Sequence, residues 1–490
     1  MHKNSTNQRL TIAIAGASGF IGRWFIDTFK HKFNIIAISR RELVEEENSS
    51  VEWRQADLYS IGNTISAIAG ADFAIYLVHS MMPSTRLNQG SFEDTDLILA
   101  DNFSRACEIN DIKQILYVGG ILPNDTNDLS PHLRSRLEVE QTLGSRSTPL
   151  TAIRAGIIVG PGGSSFTIIE KLVRRLPIMG CPEWTLSKTQ PISLRNMLEI
   201  MYFCMGNPTV YNEVLEVGGA EVLTYKKMMQ ITAEVMGKKR RIFAMPVFPV
   251  WLSTFWVSKF TDSSRTFISP LVESLKHEMI ADSHPILKEL NLDYLSFEDS
   301  VRDALNNKAS IPQLPKKIKD SAQEIKERNT VRSVQRLANP LGKSATWVGK
   351  RYTHWLPNFF QSFIQVNTDE EENCTFHVLG IESPILKLNF IKDRSHKDRQ
   401  LFYISGGLLD KRADMGWLEF REVLGGKYVL AAIHDFVPKL PWYVYVSTQA
   451  VVHLWVMNSF NKYLKKMKPR AEDLANIETA RASKKRKIKK

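Results

Sequence analysis

The sequence predicts an α/β protein: a doubly wound parallel sheet, followed by a smaller α+β domain at the C-terminal end. Three observations carry this. The first 160 residues alternate apolar strand-length runs with amphipathic helix-length segments. A glycine-rich turn, Gly16-Ala17-Ser18-Gly19-Phe20-Ile21-Gly22, sits between the first strand and the first helix. Near the other end, two β-rich runs flank a Gly-Gly turn and precede a long periodic helix. Strands apolar on both faces and separated by helices form parallel sheets covered on each side.

The predicted strands are Leu10–Ala15, Phe33–Ser39, Val51–Ala56, Phe73–Val78, Gln114–Val118 and Leu150–Arg154, with helices over Phe20–Phe29, Gly62–Ala69 and Phe92–Ile109. Beyond residue 160 the pattern is mixed. Glu213–Val217 reads as a strand, and Thr224 as the cap of a helix running to Met236, because its hydroxyl can accept from first-turn amides. These segments, 1–310, form the expected nucleotide-binding domain, with substrate-pocket pieces after 160. Residues 311–339 are rich in Lys, Glu, Pro and Ser and read as a charged connection. Residues 340–466 form the second domain. In it, Trp417–Val423 and Tyr428–Val437 flank Leu424-Gly425-Gly426-Lys427 as a hairpin. Trp442, Val446, Ala450, His453, Met457, Phe460 and Leu464 then step along one face of a single helix. Asp414, Glu419 and Asp435 suit either a cavity-facing or a solvent-facing position, and the solvent-facing one is the usual place for charges in strands. Residues 467–490 form a basic tail expected to be disordered.

Composition sets limits. The 490 residues are 43% hydrophobic and 24% charged, which excludes collagen-like, disulfide-scaffold and wholly disordered classes. The net charge of +12 is uneven: residues 461–490 hold twelve basic and three acidic side chains, leaving +3 for residues 1–460. The four cysteines lie far apart with no metal-ligand or disulfide spacing, and the histidines are scattered. They read as buried thiols of a cytoplasmic protein, with no metal site expected. The tail cluster Lys484-Lys485-Arg486-Lys487 suits weak contact with a membrane surface or polyanion, or a solvated solubility tail. Elements that read nucleic-acid sequence are absent, and the oligomeric state is not written in the residues.

The glycine turn carries the chemistry. Glycines let the backbone approach a pyrophosphate, and the helix start offers unpaired amides at its positive dipole end. At the end of the second strand an NAD site usually places a carboxylate on the ribose. Here Ser39-Arg40-Arg41 stands there instead, and two guanidiniums suit a 2′-phosphate, which favours NADP over NAD.

The spacing GxxGxxG resembles the short-chain dehydrogenase/reductase superfamily, in its extended and atypical branches. Asp57-Leu58 matches the family's adenine-contacting pair, and Val78-His79-Ser80 the segment bordering ribose and nicotinamide. Thr151-Ala152-Ile153-Arg154-Ala155-Gly156 is similar to its Leu-Arg-Pro-Gly turn, and Ser135 to Glu140 to its Ser-Lys-x-x-x-Glu. The layout looks like bacterial atypical members that carry an additional C-terminal domain of unknown function, across nearly all of residues 10–464. The resemblance implies a Rossmann fold and NAD(P) binding. It also exposes a departure. The family's Tyr-x-x-x-Lys pair falls on His132 and Arg136, and Gly119 and Gly120 stand where a strand-end hydroxyl is expected.

Two readings of that pair stand side by side. In one, His132 is a general acid/base titrating near neutrality and Arg136 anchors ribose or a substrate anion. In the other, His132 is a surface residue at a helix start and turnover is lost. The functions implied are an oxidoreductase on an apolar small molecule, its pocket walled by the aromatic-rich Pro246–Phe260, or a dinucleotide-binding sensor without catalysis. The second domain is either a helix-grip-like ligand module or a plain structural domain.

Overall fold

A computed structural model describes residues 9–43, 49–80, 87–123, 125, 128–245, 250–261, 265–282, 284–317, 330–360, 363–411 and 415–467. The charged tail, Asp414 and Pro246–Pro249 lie outside the described residues. The chain divides into two units: Met1–Met81 with Leu99–Lys319, and Met82–Ile98 with Asp320–Lys490.

The first unit begins β1 (Thr11–Ala15), α1 (Phe20–Phe29), β2 (Asn34–Ser39), β3 (Val51–Gln55), α2 (Ile61–Ile68) and β4 (Phe73–Tyr76). After β5 (Leu87–Gln89) and α3 (Phe92–Ile109) come β6 (Ile115–Gly120), α4 (Pro131–Leu143) and β7 (Leu150–Ala155). Shorter elements follow: β8 (Ile158–Val159), α5 (Ser164–Arg175), β9 (Ile178–Pro182), β10 (Lys188–Thr189), β11 (Ile192–Ser193) and α6 (Leu194–Cys204). The unit continues with β12 (Val214–Val217), β13 (Leu223–Thr224), α7 (Tyr225–Val235), β14 (Arg241–Met245), α8 (Val250–Thr261), α9 (Arg265–Ser274) and α10 (Phe297–Asn306).

Seven strands form one sheet in the order β12-β7-β6-β4-β1-β2-β3, every pairing parallel. The order reverses between β1 and β4, so the crevice at their C-terminal ends is the ligand position of such sheets. Ile12, Ile14, Ile35, Ile75, Leu116 and Ile153 form a buried centre, closed by Phe25 and Phe29 of α1 and Met197 and Met201 of α6. Thr224 caps α7 as expected, accepting from the Lys227 amide at 3.1 Å.

The second unit is an eight-stranded sheet in the order β16-β17-β18-β19-β20-β21-β15-β5. Its members are β15 (Val331–Ala338), β16 (Ile364–Thr368), β17 (Cys374–Val378), β18 (Leu386–Phe390), β19 (Arg399–Gly406), β20 (Trp417–Val423) and β21 (Tyr428–Phe436), joined by β5. All neighbours are antiparallel except β15 and β5. Three helices complete it: α11 (Ala345–Phe359), α12 (Trp442–Ser447) and α13 (Gln449–Lys466). Interlocked rings of Tyr352, Trp355, Phe420, Phe460 and Tyr463 fill the space between sheet and helices, as in a packed structural core. Among the described residues no helix is long and apolar enough to cross a membrane.

Three expectations need correction. The segment read as a charged connection, 311–339, contains β15, and Leu87–Gln89 pairs with it although it lies between two elements of the first unit. The last helix is interrupted at Thr448, whose φ of −125° and ψ of −82° break the spiral. The hydroxyls of Ser447 and Thr448 both turn back onto Val444 O, competing with the helical bonds. Val446 is consequently exposed while Ala450, Met457, Phe460 and Leu464 keep the buried face.

Glu419 does not face solvent either. It is fully buried, its Oε1 accepting from Arg399 Nε at 2.5 Å and Arg421 Nε at 2.6 Å, with His434 Nε2 2.9 Å from Oε2. Burial alone would raise its carboxyl, but the two guanidiniums hold it well below the usual carboxylate range. Asp435 is likewise paired, with Arg332 at 2.7 Å. Replacing Glu419 by Gln leaves two buried guanidiniums without their shared counter-charge. We expect a loss of about 3–5 kcal/mol in urea unfolding of the full chain. A change within 1 kcal/mol of wild type, as for ordinary surface pairs, would count against the assignment.

Candidate functional site at the carboxyl edge of the parallel sheet

The glycine turn adopts the geometry its spacing predicts. Gly16 has a φ of +87°, and a Cβ there would lie 3.0 Å from the Leu77 carbonyl, so both conformation and contact demand glycine. A Cβ at Gly22 would meet Gly16 O at 2.5 Å and Ala17 Cα at 2.8 Å, so this position lets α1 sit directly on the turn. Gly19 is different. Its amide donates to Gly16 O at 2.9 Å, and an added Cβ would touch only that oxygen at 3.1 Å. It is the helix cap, and no side chain caps the first-turn amides of Phe20, Ile21 and Gly22. Ala17 is buried, Ser18 half-buried and Gly19 exposed.

At the end of β2, Ser39 is buried and its Oγ accepts from the Arg41 amide at 3.0 Å. Arg40 and Arg41 follow, both exposed. Asp57 opens the turn after β3, its Oδ1 accepting from the Tyr59 amide at 3.0 Å, and Leu58 is buried with its carbonyl held by Asn102 Nδ2 at 2.8 Å. The fourth strand stops at Tyr76, so Val78, His79 and Ser80 lie in the segment beyond it.

A cavity of about 680 Å³ opens at these strand ends. Ile21 of α1, His79, and Val118, Gly119 and Gly120 of β6 form one edge, with His132, Leu133 and Arg136 of α4 beside them. The remaining wall is mainly apolar, drawn from α5, β9, α7, β14, α8 and α9. Val257 and Phe260 of the expected aromatic segment take part. A Cβ at Gly119 would lie 2.9 Å from the Tyr117 ring, whose hydroxyl donates to Arg136 O at 3.1 Å. The missing strand-end hydroxyl therefore has a packing cause: Tyr117 occupies the room.

His132 differs from both expectations. It lines the cavity rather than the outer surface, and it does not titrate near neutrality. Burial, then the charges of Arg136 and His79, push its pKa down to about 3. Two serine hydroxyls set its orientation. Ser130, the cap of α4, accepts from the Leu133 amide and lies 2.8 Å from Ser274 Oγ, which donates to Pro270 O at 2.8 Å. Ser274 Oγ is also 3.4 Å from His132 Nδ1. With the Ser274 proton directed at Pro270, Nδ1 is the protonated nitrogen and Nε2 keeps its lone pair. Ser130 was legible as a helix cap before Pro131. Ser274, 142 residues away from His132, was not.

Arg154 fixes the helix that carries this pair. Its guanidinium makes two bonds to Glu140, at 2.7 and 2.9 Å, and one to Glu216 at 3.3 Å. The family-like Arg and Glu positions are therefore structural partners here.

No family model matches the chain. Over 110 residues it is 28% identical to the auxiliary protein GraX of Staphylococcus aureus, a match covering 22% of this chain and 36% of that protein. The chain thus spans about a third of that relative's length. It is also similar to a solved nucleoside-diphosphate-sugar epimerase from Staphylococcus aureus (12% identity, TM-score 0.48, 60% of this chain and 100% of that one). Others are triphenylmethane reductase from Citrobacter sp. (18%, 0.47, 61% and 100%) and the enzyme WbmG of Bordetella bronchiseptica in complex with NAD (13%, 0.45, 62% and 94%). The fold assignment rests on the strand order above.

Because the folded pKa of His132 lies below the unfolded value of 6.5, the unfolded chain binds the extra proton between them. Stability present above pH 6.5 is therefore lost as pH falls toward 3. His453, lowered to about 4 by burial, acts in the same direction. The Tm of His132→Asn should fall less than that of wild type between pH 7 and 4.5. Parallel Tm curves would show that His132 is not held neutral by the fold.

Proposed function

We propose that the first unit binds a nicotinamide dinucleotide and uses it on an apolar small molecule held in the cavity. The observation that carries this reading is the junction of the two sites. The cavity begins on Ile21 of the glycine turn, on His79 beyond β4 and on the ends of β6 and β7, beside the β1/β4 switch point. The turn fits the group: Gly16 and Gly22 close the loop backbone, and Gly19 leaves room in front of uncapped amides. Gly16 to Gly22 would hold the pyrophosphate, Arg40 and Arg41 a 2′-phosphate, Asp57-Leu58 the adenine edge, and Val78 to Ser80 the ribose side. NADP is the preferred form, since no carboxylate stands at the end of β2. When bound, such a group supplies hydride transfer.

The chain's own residues do the rest. Apolar walls exclude water, and Arg136 offers a fixed positive charge beside the strand ends. His132 Nε2 accepts a hydrogen bond from a hydroxyl and so orients it. A sensor without turnover is the second reading, favoured by the packing of Tyr117 against Gly119 and by the neutral His132, which leave the family-like positions without an acid at neutral pH. Single-turnover oxidation of NADPH against aldehydes, ketones and quinones separates the two; binding with no oxidation by any of them supports the sensor. Contact of the basic tail with polyanions belongs to this proposal as a salt-sensitive, sequence-independent interaction.

Gly19→Val should weaken NADPH binding at least about 10-fold, because its side chain projects into the approach path, while its thermal unfolding stays near wild type. Unchanged affinity in the folded variant removes the pyrophosphate role. Arg40→Asp should lower the ratio of NADPH to NADH affinity by about 10-fold, the scale of a charge-assisted pair. A constant ratio assigns the 2′-phosphate elsewhere.

A further inference from the structure

The helical layer of the second unit presents an apolar surface to solvent. Single exposed apolar side chains are ordinary, but a contiguous group of them marks a contact surface. Val451, Val452 and Trp455 of α13 are each about half exposed, and their three- and four-residue spacing puts them on one face. The Trp455 ring packs against Phe359 at 4.7 Å and Phe360 at 5.9 Å, at the end of α11. The Phe363 amide donates to Phe360 O at 2.9 Å and the Leu379 amide to Phe363 O at 3.0 Å, and both side chains are more than half exposed. The apolar run is therefore continuous from α13 across the end of α11 to the turn after β17. Ile381 extends it and Glu382 ends it. Before the break at Thr448, Tyr443 of α12 is 76% exposed, more than any other large apolar side chain among the described residues.

Charge identifies what such a surface meets. Residues 328–368 and 436–471, which contain α11, α12 and α13, hold no Asp or Glu, although the chain has 52 acids in 490 residues. Exposed Lys462 and Lys466 continue the stripe of Val451, Trp455 and Asn458 along α13, with Lys465 beside them. An apolar face that runs into lysines has the composition of a helix lying at the boundary between acyl chains and anionic head groups. Trp and Tyr suit that level because body and polar tip meet different media, and lysine stems lie along apolar surface while the ammonium reaches phosphate. Carboxylates there would be repelled by the negative surface, and these helices carry none.

We propose that this face docks on the surface of an anionic lipid bilayer, with Tyr443, Val451, Val452 and Trp455 at the acyl boundary and Lys462, Lys465 and Lys466 on lipid phosphates. It takes up the polyanion contact of the basic tail and gives it a folded surface, and it does not rest on the cofactor reading.

Co-sedimentation of the full chain with vesicles tests this, using phosphatidylcholine alone and phosphatidylcholine with about one-third phosphatidylglycerol. The chain should sediment with the mixed vesicles and far less with the neutral ones. Val451→Ser/Val452→Ser should weaken that partitioning about 10-fold, the scale of two half-buried apolar side chains. Lys462→Gln/Lys466→Gln should weaken it about 25-fold, since each lysine near such a surface is worth about 5-fold. All four positions are exposed, so thermal unfolding should stay near wild type, and Tyr443→Ser replaces the valine pair if that variant unfolds. No binding to the mixed vesicles assigns the face to a protein partner and overturns the proposal. Equal binding to both compositions overturns it too, as does binding that the valine pair leaves unchanged, which makes it a property of the tail alone. NADPH titrations run beside these keep the two proposals apart. Vesicle binding without NADPH binding sinks the cofactor reading alone, and NADPH binding without vesicle binding sinks this one alone.

Discussion

The guanidinium of Arg154 is the constraint on which the candidate site depends. Set in β7, it grips Glu140 of α4 with two bonds and Glu216 of β12 with a third, and the other Glu216 oxygen accepts from the Asp282 amide at 3.1 Å. Burial would lower the pKa of this arginine, but the two carboxylates more than offset it, so the charge stays. His132, Arg136 and Glu140 follow one another at intervals of four residues and so share a face of α4. Anchoring the last fixes the rotation of the first two. A planar two-bond contact suits this task better than an ammonium could, since it sets direction as well as distance.

The same economy governs the glycine turn. Gly22 lets α1 rest on the backbone of Gly16 and Ala17, and a Cβ at Gly163, before α5, would meet the Phe20 ring at 3.0 Å. The entry to the cavity is thus framed by close backbone contacts rather than by long side chains, which holds the amides of the first helix in place. Tyr117 extends the logic. By filling the space above Gly119 and bonding to Arg136 O, it exchanges a reactive hydroxyl for a packed ring that braces α4.

What could be read from the sequence was local. Buried parallel strands and the glycine turn advertise themselves within a few residues, so the seven-stranded sheet and the Gly16–Gly22 geometry were legible. The hairpin about Gly425 and Gly426 was too, both at positive φ. What was missed depends on partners far away in the chain. β15 looks like a charged connection because Arg332 and Arg336 sit within it. Their charges are met by Asp435 and Asp94, 103 and 242 residues distant. β5 has three residues and no pattern of its own; Gln89 O accepts from Gln335 and its side chain donates to Ala450 O, which together tie it to the second sheet. Glu419 was read as exposed because nothing near it in sequence announces that Arg399 and His434 converge there. The titration of His132 was hidden for the same reason, since its burial, the largest cause, and the charge of His79 come from other elements.

The electrostatics of the cavity favour one direction of chemistry on the proposed reading. Its basic lining groups, His79, His132 and Arg136, gather at the strand ends and α4, and the rest of the wall is mainly apolar. A neutral carbonyl compound meets no electrostatic penalty on entering such a space. If its reacting oxygen lies at the basic edge, charge developing there on reduction is stabilised by Arg136 in a medium of low dielectric. Burial, with the charges of Arg136 and His79 adding to it, keeps His132 neutral, and negative charge developing beside it would raise the affinity of Nε2 for a proton. Oxidation of an alcohol gains less from this arrangement, because the resting imidazole, with a pKa of about 3, is a weak base. On that reading Arg136, lining the cavity beside the strand ends, is the group placed to stabilise negative charge on a reacting oxygen.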